Sequence, residues 1–349
     1  MGKLKYIIER LLLAIVTGFI ILTLTFILVK LLPEQVPAGQ VSQQLSYYQK
    51  QVSLGYYLSS PTAVVEGFGE PNFIYTPSSG GAAIYFFKLP IMSQYGAWLK
   101  NVFTKWDWGT SSTIEVNRDV FVLIGQRLGP TVVVNAITIV FAVPCGIGLG
   151  IWAAMKRNKP TDRTISLLVM IFISIPSFVF ISLLIIVFSY TLKWLPTIWP
   201  ATTASLKTRA LGLIIPVLAG SFGSICGYER LVRGELIEAL SSDYLLLART
   251  KGLTKRQSVV RHALRNSMVP VLPSILAEIV GILGGSAILE QIYSIPGIGN
   301  LFIDSINRLD YNVMLADMAV FTIIGLLAGI VLDLSYGFLD PRIRMGERK

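Results

Sequence analysis

Few residues in this 349-residue chain are placed to do chemistry, and their scarcity is itself informative. Glu278 and Asp333 each interrupt a long apolar run. An ionisable group in such a run is costly to bury and marks a place where charge is paired, moved or recognised. Small residues follow Glu278 at Gly281, Gly284 and Gly285, and these permit close approach of a second helix. Two readings of Glu278 stand side by side: a carboxylate facing an aqueous cavity, or one held by a Ser, Tyr or backbone group in a helix interface. Asp333 is expected to pair with Arg342 or Arg344. The single histidine, His262, sits in a basic stretch and reads as solvated. Cys145 and Cys226 lie in apolar surroundings and read as small buried hydrophobes. The sequence has no Gly-x-x-x-x-Gly-Lys-Ser/Thr loop to cradle phosphates, no metal-ligand spacing and no assembled Ser/His/Asp set. An enzyme site, a bound cofactor and a metal are therefore not expected in this chain.

The elements that must position these groups follow from composition. Hydrophobic residues make up 53% of the chain and charged residues 14%, about half the charge of a soluble domain, where roughly 25% is usual. That excludes an ordinary cytosolic enzyme, a disordered chain and a disulfide-stapled secreted protein. A bilayer core of about 30 Å needs about 20 apolar residues of helix. Six segments qualify: Leu11–Val29, Gly129–Met155, Thr164–Leu192, Ala210–Tyr228, Asn266–Leu289 and Met318–Leu332. The first follows Lys3, Lys5 and Arg10 as a signal peptide would, but it is too long and lacks a cleavage site, so an uncleaved helix is expected. Pro144, Pro176, Pro216 and Pro273 fall within spans and predict kinks. The hydroxyls of Ser174 and Ser177 flank Pro176, where they either line a path or satisfy freed carbonyls.

Charge orients the spans. With both termini inside, the segments 1–10, 156–163, 229–268 and 338–349 hold 19 of the 30 Lys and Arg, as the positive-inside rule requires. The net charge of +10 is then a topology signal rather than a nucleic-acid footprint. Two loops are longer than connectors need be. Pro33–Asn117, rich in Gly, Pro, Ser, Tyr and Trp, reads as a small extracellular subdomain. Asp119–Leu128 has helical spacing and reads as a short interfacial helix before the second span. The resulting division is 1–32 as the first span, 33–128 as the extracellular segment with its interfacial helix, and 129–349 as a five-helix core with a cytoplasmic loop at 229–265.

That inner loop has a clear local grammar. Ser241, Ser242 and Asp243 are N-cap types before a short helix over Tyr244–Thr250. Gly252 stands where a left-handed residue ends a helix, with Arg249 and Lys251 near the negative end of the dipole. Thr254 and Gln257 form a capping box that opens a second helix, Lys255–Asn266. A short, sharply ended helix held away from the membrane suits docking of a cytoplasmic partner. Tyr244, Leu245 and Ala248 would supply its apolar face, and Asp243, Arg249 and Lys251 its rim.

The stretch Asp243-Tyr-Leu-Leu-Leu-Ala-Arg-Thr-Lys-Gly-Leu253, with Arg261-His-Ala-Leu-Arg-Asn266 after it, closely resembles the cytoplasmic loop of the dipeptide and oligopeptide permeases of the ATP-binding-cassette importers. Glu290-Gln-Ile-Tyr-Ser-Ile-Pro-Gly-Ile-Gly299, Arg308-Leu-Asp310-Tyr and Asp333–Arg344 are similar to further segments of that family's B-type subunit, as are Glu9-Arg-Leu-Leu and Phe26–Pro33. Where the family continues Pro-Gly-Asp-Pro, this chain reads Pro33-Glu-Gln-Val-Pro37. Of the broader Glu-Ala-Ala-x-x-x-Gly pattern, Ala248 and Gly252 are kept, while Leu246 and Leu247 stand at its first two positions. The resemblance covers residues 1–33 and about 107–344. It implies an all-α membrane protein with six spans, the type I importer permease fold, and an insertion after span one. It further implies a second, C-type permease subunit, two cytoplasmic ATPases that carry ATP and Mg, and an extracytoplasmic peptide-binding protein, all in the cytoplasmic membrane with its lipids. The segment Ser242–Gly252 would couple to an ATPase. Ser174, Pro176, Ser177, Glu278, Gly281 and Gly285 would line the path, with Glu278 placed to meet a peptide's amino terminus. Nickel or another non-peptide cargo, an ion-coupled transporter using Glu278, and a non-transporting scaffold are the alternatives.

Overall fold

The computed structural model describes residues 2–34, 36, 39–78 and 80–339. The chain is predominantly helical, with fourteen α-helices and three short strands among the described residues. Four helices are long and apolar enough to cross a membrane: α1 (Gly2–Leu31), α4 (Val120–Met155), α7 (Leu206–Leu240) and α14 (Tyr311–Leu339). Two bent pairs complete six spans when each pair is counted once. In the first pair, α5 (Pro160–Ile173) meets α6 (Ser177–Leu184), which continues as a π-helical turn to Thr191, at 99°. In the second, α9 (Lys255–Ser258), a π turn and α10 (Leu264–Ser267) meet α11 (Val271–Gly281) at 53°.

The prolines divide by position. Pro144 and Pro216 sit inside the unbroken α4 and α7, whereas Pro176 is the residue that starts α6 at the sharper bend. A proline lacks an N–H and fits the first turn of a helix, so it begins a new helix more readily than it continues an old one. The expected single helix over 164–192 is accordingly two. The short interfacial helix expected over 119–128 is not separate either: α4 runs on without interruption from Val120 to Met155.

Contacts divide the chain into two compact units. One comprises Met1–Val16, Arg127–Asn300 and Phe321–Lys349; the other comprises Thr17–Gln126 and Leu301–Val320. The second unit contains α2 (Val41–Ser53), α3 (Ile91–Lys105) and a three-stranded antiparallel sheet of β1 (Tyr57–Ser60), β2 (Phe73–Tyr75) and β3 (Ile84–Lys88), ordered β1-β3-β2. Its core is aromatic. Tyr48 stacks on Phe73 at 4.6 Å between centroids and Trp98 on Phe26 at 4.9 Å, with Tyr57, Phe86 and Trp108 also buried. Strands of three to five residues bury too little aliphatic surface alone, and large rings supply the missing contact area.

Glu34, where this chain departs from the family's Pro-Gly-Asp-Pro, anchors that unit. The hydroxyls of Tyr47 and Tyr57 each donate to its carboxylate at 2.7 Å, and Lys88 Nζ lies 3.0 Å away. Burial alone would raise the Glu34 pKa, but those three donors outweigh it and hold the carboxyl below its ordinary value. Burial, reinforced by the Glu34 charge, pushes the Tyr47 and Tyr57 hydroxyls up and Tyr48 up to about 12. A depressed carboxyl stabilises the fold above its unfolded pKa, near 4.3, and that contribution disappears as pH falls through the folded value. Glu34→Gln is expected to destabilise the second unit by about 2 kcal/mol at pH 7. The gap from the native chain should shrink as pH drops below about 4, as read by thermal unfolding followed through tryptophan fluorescence.

Candidate functional site

The inner loop begins where α7 ends. Its last carbonyls have no helical partners. Ser241 Oγ donates to Glu238 O at 2.9 Å and Ser242 Oγ donates to Ala239 O at 2.6 Å. Ser242 has the extended backbone of an N-cap, but its hydroxyl is spent on α7 rather than on the next helix. Helix α8 (Asp243–Thr250) follows. Gly252 has φ +91° with open space around it, so backbone conformation rather than crowding requires glycine there. The capping box is formed in both directions: Thr254 N–H donates to Gln257 Oε1 at 3.0 Å, and Gln257 N–H donates to Thr254 Oγ1 at 3.3 Å.

The two faces of α8 differ from the expected assignment. Leu245 and Ala248 are buried, and Leu245 packs with Ala154, Leu236, Ala239 and Ala263. Leu245 fastens the helix to its own chain, and neither residue is available as a docking face. The outward apolar residues are Tyr244, Leu246 and Leu247, the leucines 63% and 56% exposed. Asp243, Arg249 and Lys251 are exposed around them. A period of 3.6 residues puts 245 and 248 on one side and 244 and 247 on another. Which side faces inward is decided by what the helix packs on, Ala154 and Leu236 among it, and the short helix itself does not contain those residues. His262 is exposed on the π turn beyond.

In the same unit, α7 and α11 hold Glu278 beside a cavity of about 360 Å³. Ser224 Oγ donates to Glu278 Oε1 at 2.6 Å, and the Tyr228 hydroxyl donates to Oε2. The carboxylate is therefore held by α7 and also lines the cavity. Asn135, Thr138, Ser177, Ser224 and Ser286 supply the other polar walls, with Gly281 and Gly285 among the remainder. Of the six residues expected to line a path, Ser177, Glu278, Gly281 and Gly285 are brought together. Ser174 is not: it is exposed and its hydroxyl donates to Met170 O at 2.8 Å. Pro176 forms the bend above it rather than a wall.

The helix containing Glu278 ends earlier than the apolar run. It tightens into a 3₁₀ turn over Ile282–Gly284 and stops at Gly285, with φ +61°. Asn135 Nδ2 donates to the freed Ile282 carbonyl at 2.7 Å. Helix α12 (Ala287–Ile292) then presents Glu290, buried and accepting from Thr131 Oγ1 at 2.8 Å and from Asn300 N–H at 2.9 Å. Burial pushes the Glu290 carboxyl up against the opposing pull of these donors. A Cβ on Gly285 or Gly299 would come within 2.9 or 3.0 Å of the carboxylate. The Glu290–Gly299 motif is thus a buried carboxylate wrapped in glycines. The Arg308–Tyr311 motif has a matching logic, since Asp310 is wholly buried and accepts from the backbone of residues 112–114.

One pair escaped the sequence reading. Asp162, at the start of α5, is buried and receives Arg233 Nε at 2.6 Å, Arg233 Nη2 at 3.1 Å and Asn158 N–H at 2.9 Å. The signal was present: Asp162 is the sole acidic residue between Asp119 and Glu229. Arg233→Ala should destabilise the first unit by about 1–3 kcal/mol, because the Asp162 carboxylate keeps the Asn158 N–H but loses both guanidinium donors. Arg233→Lys should cost less, because the ammonium keeps the charge although it lacks the parallel fork. Thermal unfolding of the solubilised chain reads both. Asp333 lies 3.2 Å from Arg10 Nη1; its expected partners, Arg342 and Arg344, lie outside the described residues. Cys226 is buried, Cys145 partly so, and both are free thiols.

Comparison with known proteins places this architecture. Residues 146–345 match the family model described as the binding-protein-dependent transport system inner membrane component. The dipeptide transport system permease protein DppB of Lactococcus lactis subsp. cremoris is 32% identical over 341 residues, spanning 98% of this chain and 99% of that protein. DppB of Bacillus subtilis is 30% identical over 344 residues, 99% of each chain. The oligopeptide transport system permease protein OppB of Salmonella typhimurium is 32% identical over 342 residues, 98% of this chain and 99% of its own. Four spanning helices with two bent pairs, a glycine-stopped loop helix and near full-length similarity lead to one conclusion: the chain belongs to the family of inner membrane components of binding-protein-dependent transport systems.

Proposed function

We propose that this chain is one permease subunit of an ATP-driven peptide importer, and that it couples to an ATPase through α8. The observation that carries the coupling is the outward set Tyr244, Leu246 and Leu247 on a helix fastened from behind by Leu245, with Ala248 also buried. Force applied to such a knob passes into α7 and α10 because its inner face is packed with them. The near full-length similarity to proteins named for dipeptide and oligopeptide transport supports the cargo class. In this reading the α8 loop and both termini are cytoplasmic, as the basic loops require. A second permease subunit completes the path, two cytoplasmic ATPases hold ATP and Mg, and an extracytoplasmic protein delivers the peptide. The cavity at Glu278 then offers a carboxylate and neutral hydrogen-bonding groups to a peptide's ammonium end and main chain.

Reconstitution of the chain with those partners in liposomes tests the reading. ATP-dependent accumulation of a labelled di- or oligopeptide, and none of nickel, is the expected result. Nickel uptake without peptide uptake overturns the cargo. Peptide uptake by this chain alone, driven by a proton gradient, overturns the subunit role.

A further inference from the structure

A second cavity of the first unit lies beside the start of α7, about 50 Å along that 35-residue helix from α8. Its volume is about 440 Å³. Pro130 and Val133 of α4, Trp199 and Pro200 of the preceding loop, and Leu206 and Leu213 of α7 form apolar walls, with Arg209 and Thr202 as polar groups. The loop wall is fixed. Trp199 N–H donates to Tyr293 O at 2.8 Å, and the Tyr293 hydroxyl donates to Pro196 O at 3.0 Å. Pro200 packs so closely on Gly212 that a Cβ there would overlap its ring. The cavity is therefore preformed rather than a gap between mobile side chains.

Its mouth carries apolar surface and positive charge together. Leu206 is 81% exposed and Arg209 is exposed beside it. Between Thr164 and Tyr228 the charged residues are Lys193, Lys207 and Arg209, with no acid among them. Arg209 forms no ion pair among the described residues. Exposed Trp194 and Ile198 mark the same loop as a membrane–water boundary. In the orientation proposed above this is the outward side, where topology gives no reason for three unbalanced cations.

We propose that this cavity binds an anionic phospholipid, with the acyl chain along Val133, Leu206 and Leu213 and the phosphate on the Arg209 guanidinium. The planar fork of an arginine matches two phosphate oxygens at once, and the apolar walls suit a chain that a soluble anion lacks. A zwitterionic lipid brings its own cation to the same mouth and binds more weakly. Only the choice of leaflet rests on the importer reading; binding itself does not.

The full chain, solubilised and stripped of lipid, is titrated with phosphatidylglycerol or phosphatidylcholine, and retained lipid is counted by native mass spectrometry without cargo or ATP. Phosphatidylglycerol should be held about tenfold more tightly, and Arg209→Gln should remove that preference. Ala210→Trp, which fills the cavity from α7, should lower retention of both lipids, with thermal unfolding showing that each variant is folded. Should Ala210→Trp not fold, Arg209→Gln alone decides. Equal retention of phosphatidylglycerol by the native chain and Arg209→Gln overturns the site. So does a photo-cross-linker at Leu206 that captures a second copy or another protein chain in native membranes instead of lipid.

Discussion

Replacing Leu246 and Leu247 together with glutamate is expected to lower ATP-dependent peptide uptake at least about a hundredfold while leaving the chain folded in the membrane. A hundredfold loss is about 2.7 kcal/mol, within what truncation or charging of a few central contacts does to an interface. Both side chains are exposed, so new carboxylates there remain solvated in the free chain and alter its stability little. In the docking proposed above they would be buried unpaired, and that desolvation would weaken coupling. Leu245→Glu is the contrasting variant. Leu245 is 1% exposed in the cluster under α8, so its replacement should dislodge the helix itself and lower the unfolding temperature. Uptake assays, co-purification with the ATPase and thermal unfolding together separate a lost partner from a lost fold.

Asp310→Ala carries the largest expected effect on stability. Asp310 Oδ2 accepts from Ser111 Oγ at 2.6 Å and from the N–H groups of Ser112, Thr113 and Ile114 at 3.0, 3.0 and 3.1 Å. Beside it Asn312 Nδ2 donates to Thr110 O at 2.8 Å, and Gly109, with φ +91°, leaves room for that amide. Removing the carboxylate strands several donors at once, a loss of about 3–5 kcal/mol in the second unit. Asp310→Asn keeps an acceptor oxygen and should cost roughly half as much. Trp98, Trp106 and Trp108 belong to that unit and report its unfolding by fluorescence. An unchanged transition in Asp310→Ala would contradict the role assigned to the carboxylate.

What could be read without coordinates followed the range of the forces involved. The spans were legible because a bilayer requires length and apolarity, both of which are local. Gly252 and the Thr254/Gln257 box were legible because a helix end is settled within four residues. The face of α8 was not, since Leu245 turns inward against a cluster that includes Ala154, 91 residues earlier in the chain. Asp162 and Arg233 meet across 71 residues, and nothing near either of them names its partner. The sheet between the first spans was illegible for a different reason: its strands are short, and an aromatic core leaves a composition signal without a period. Glu278 shows the middle case. Its chemistry was evident from one carboxyl in an apolar run, while its partners, Ser224 and Tyr228, had to be placed by the packing of α7 on α11.

The central claim is that α8 is the contact through which ATP hydrolysis in a partner moves this chain. A cysteine at position 246, in a chain otherwise freed of Cys145 and Cys226, can be cross-linked to the ATPase in the assembled complex. The account predicts an efficient cross-link that locks the complex, blocks peptide uptake and is reversed by reducing agent. A complex that transports peptide normally with position 246 cross-linked elsewhere, or one in which no cross-link to the ATPase forms, would contradict it.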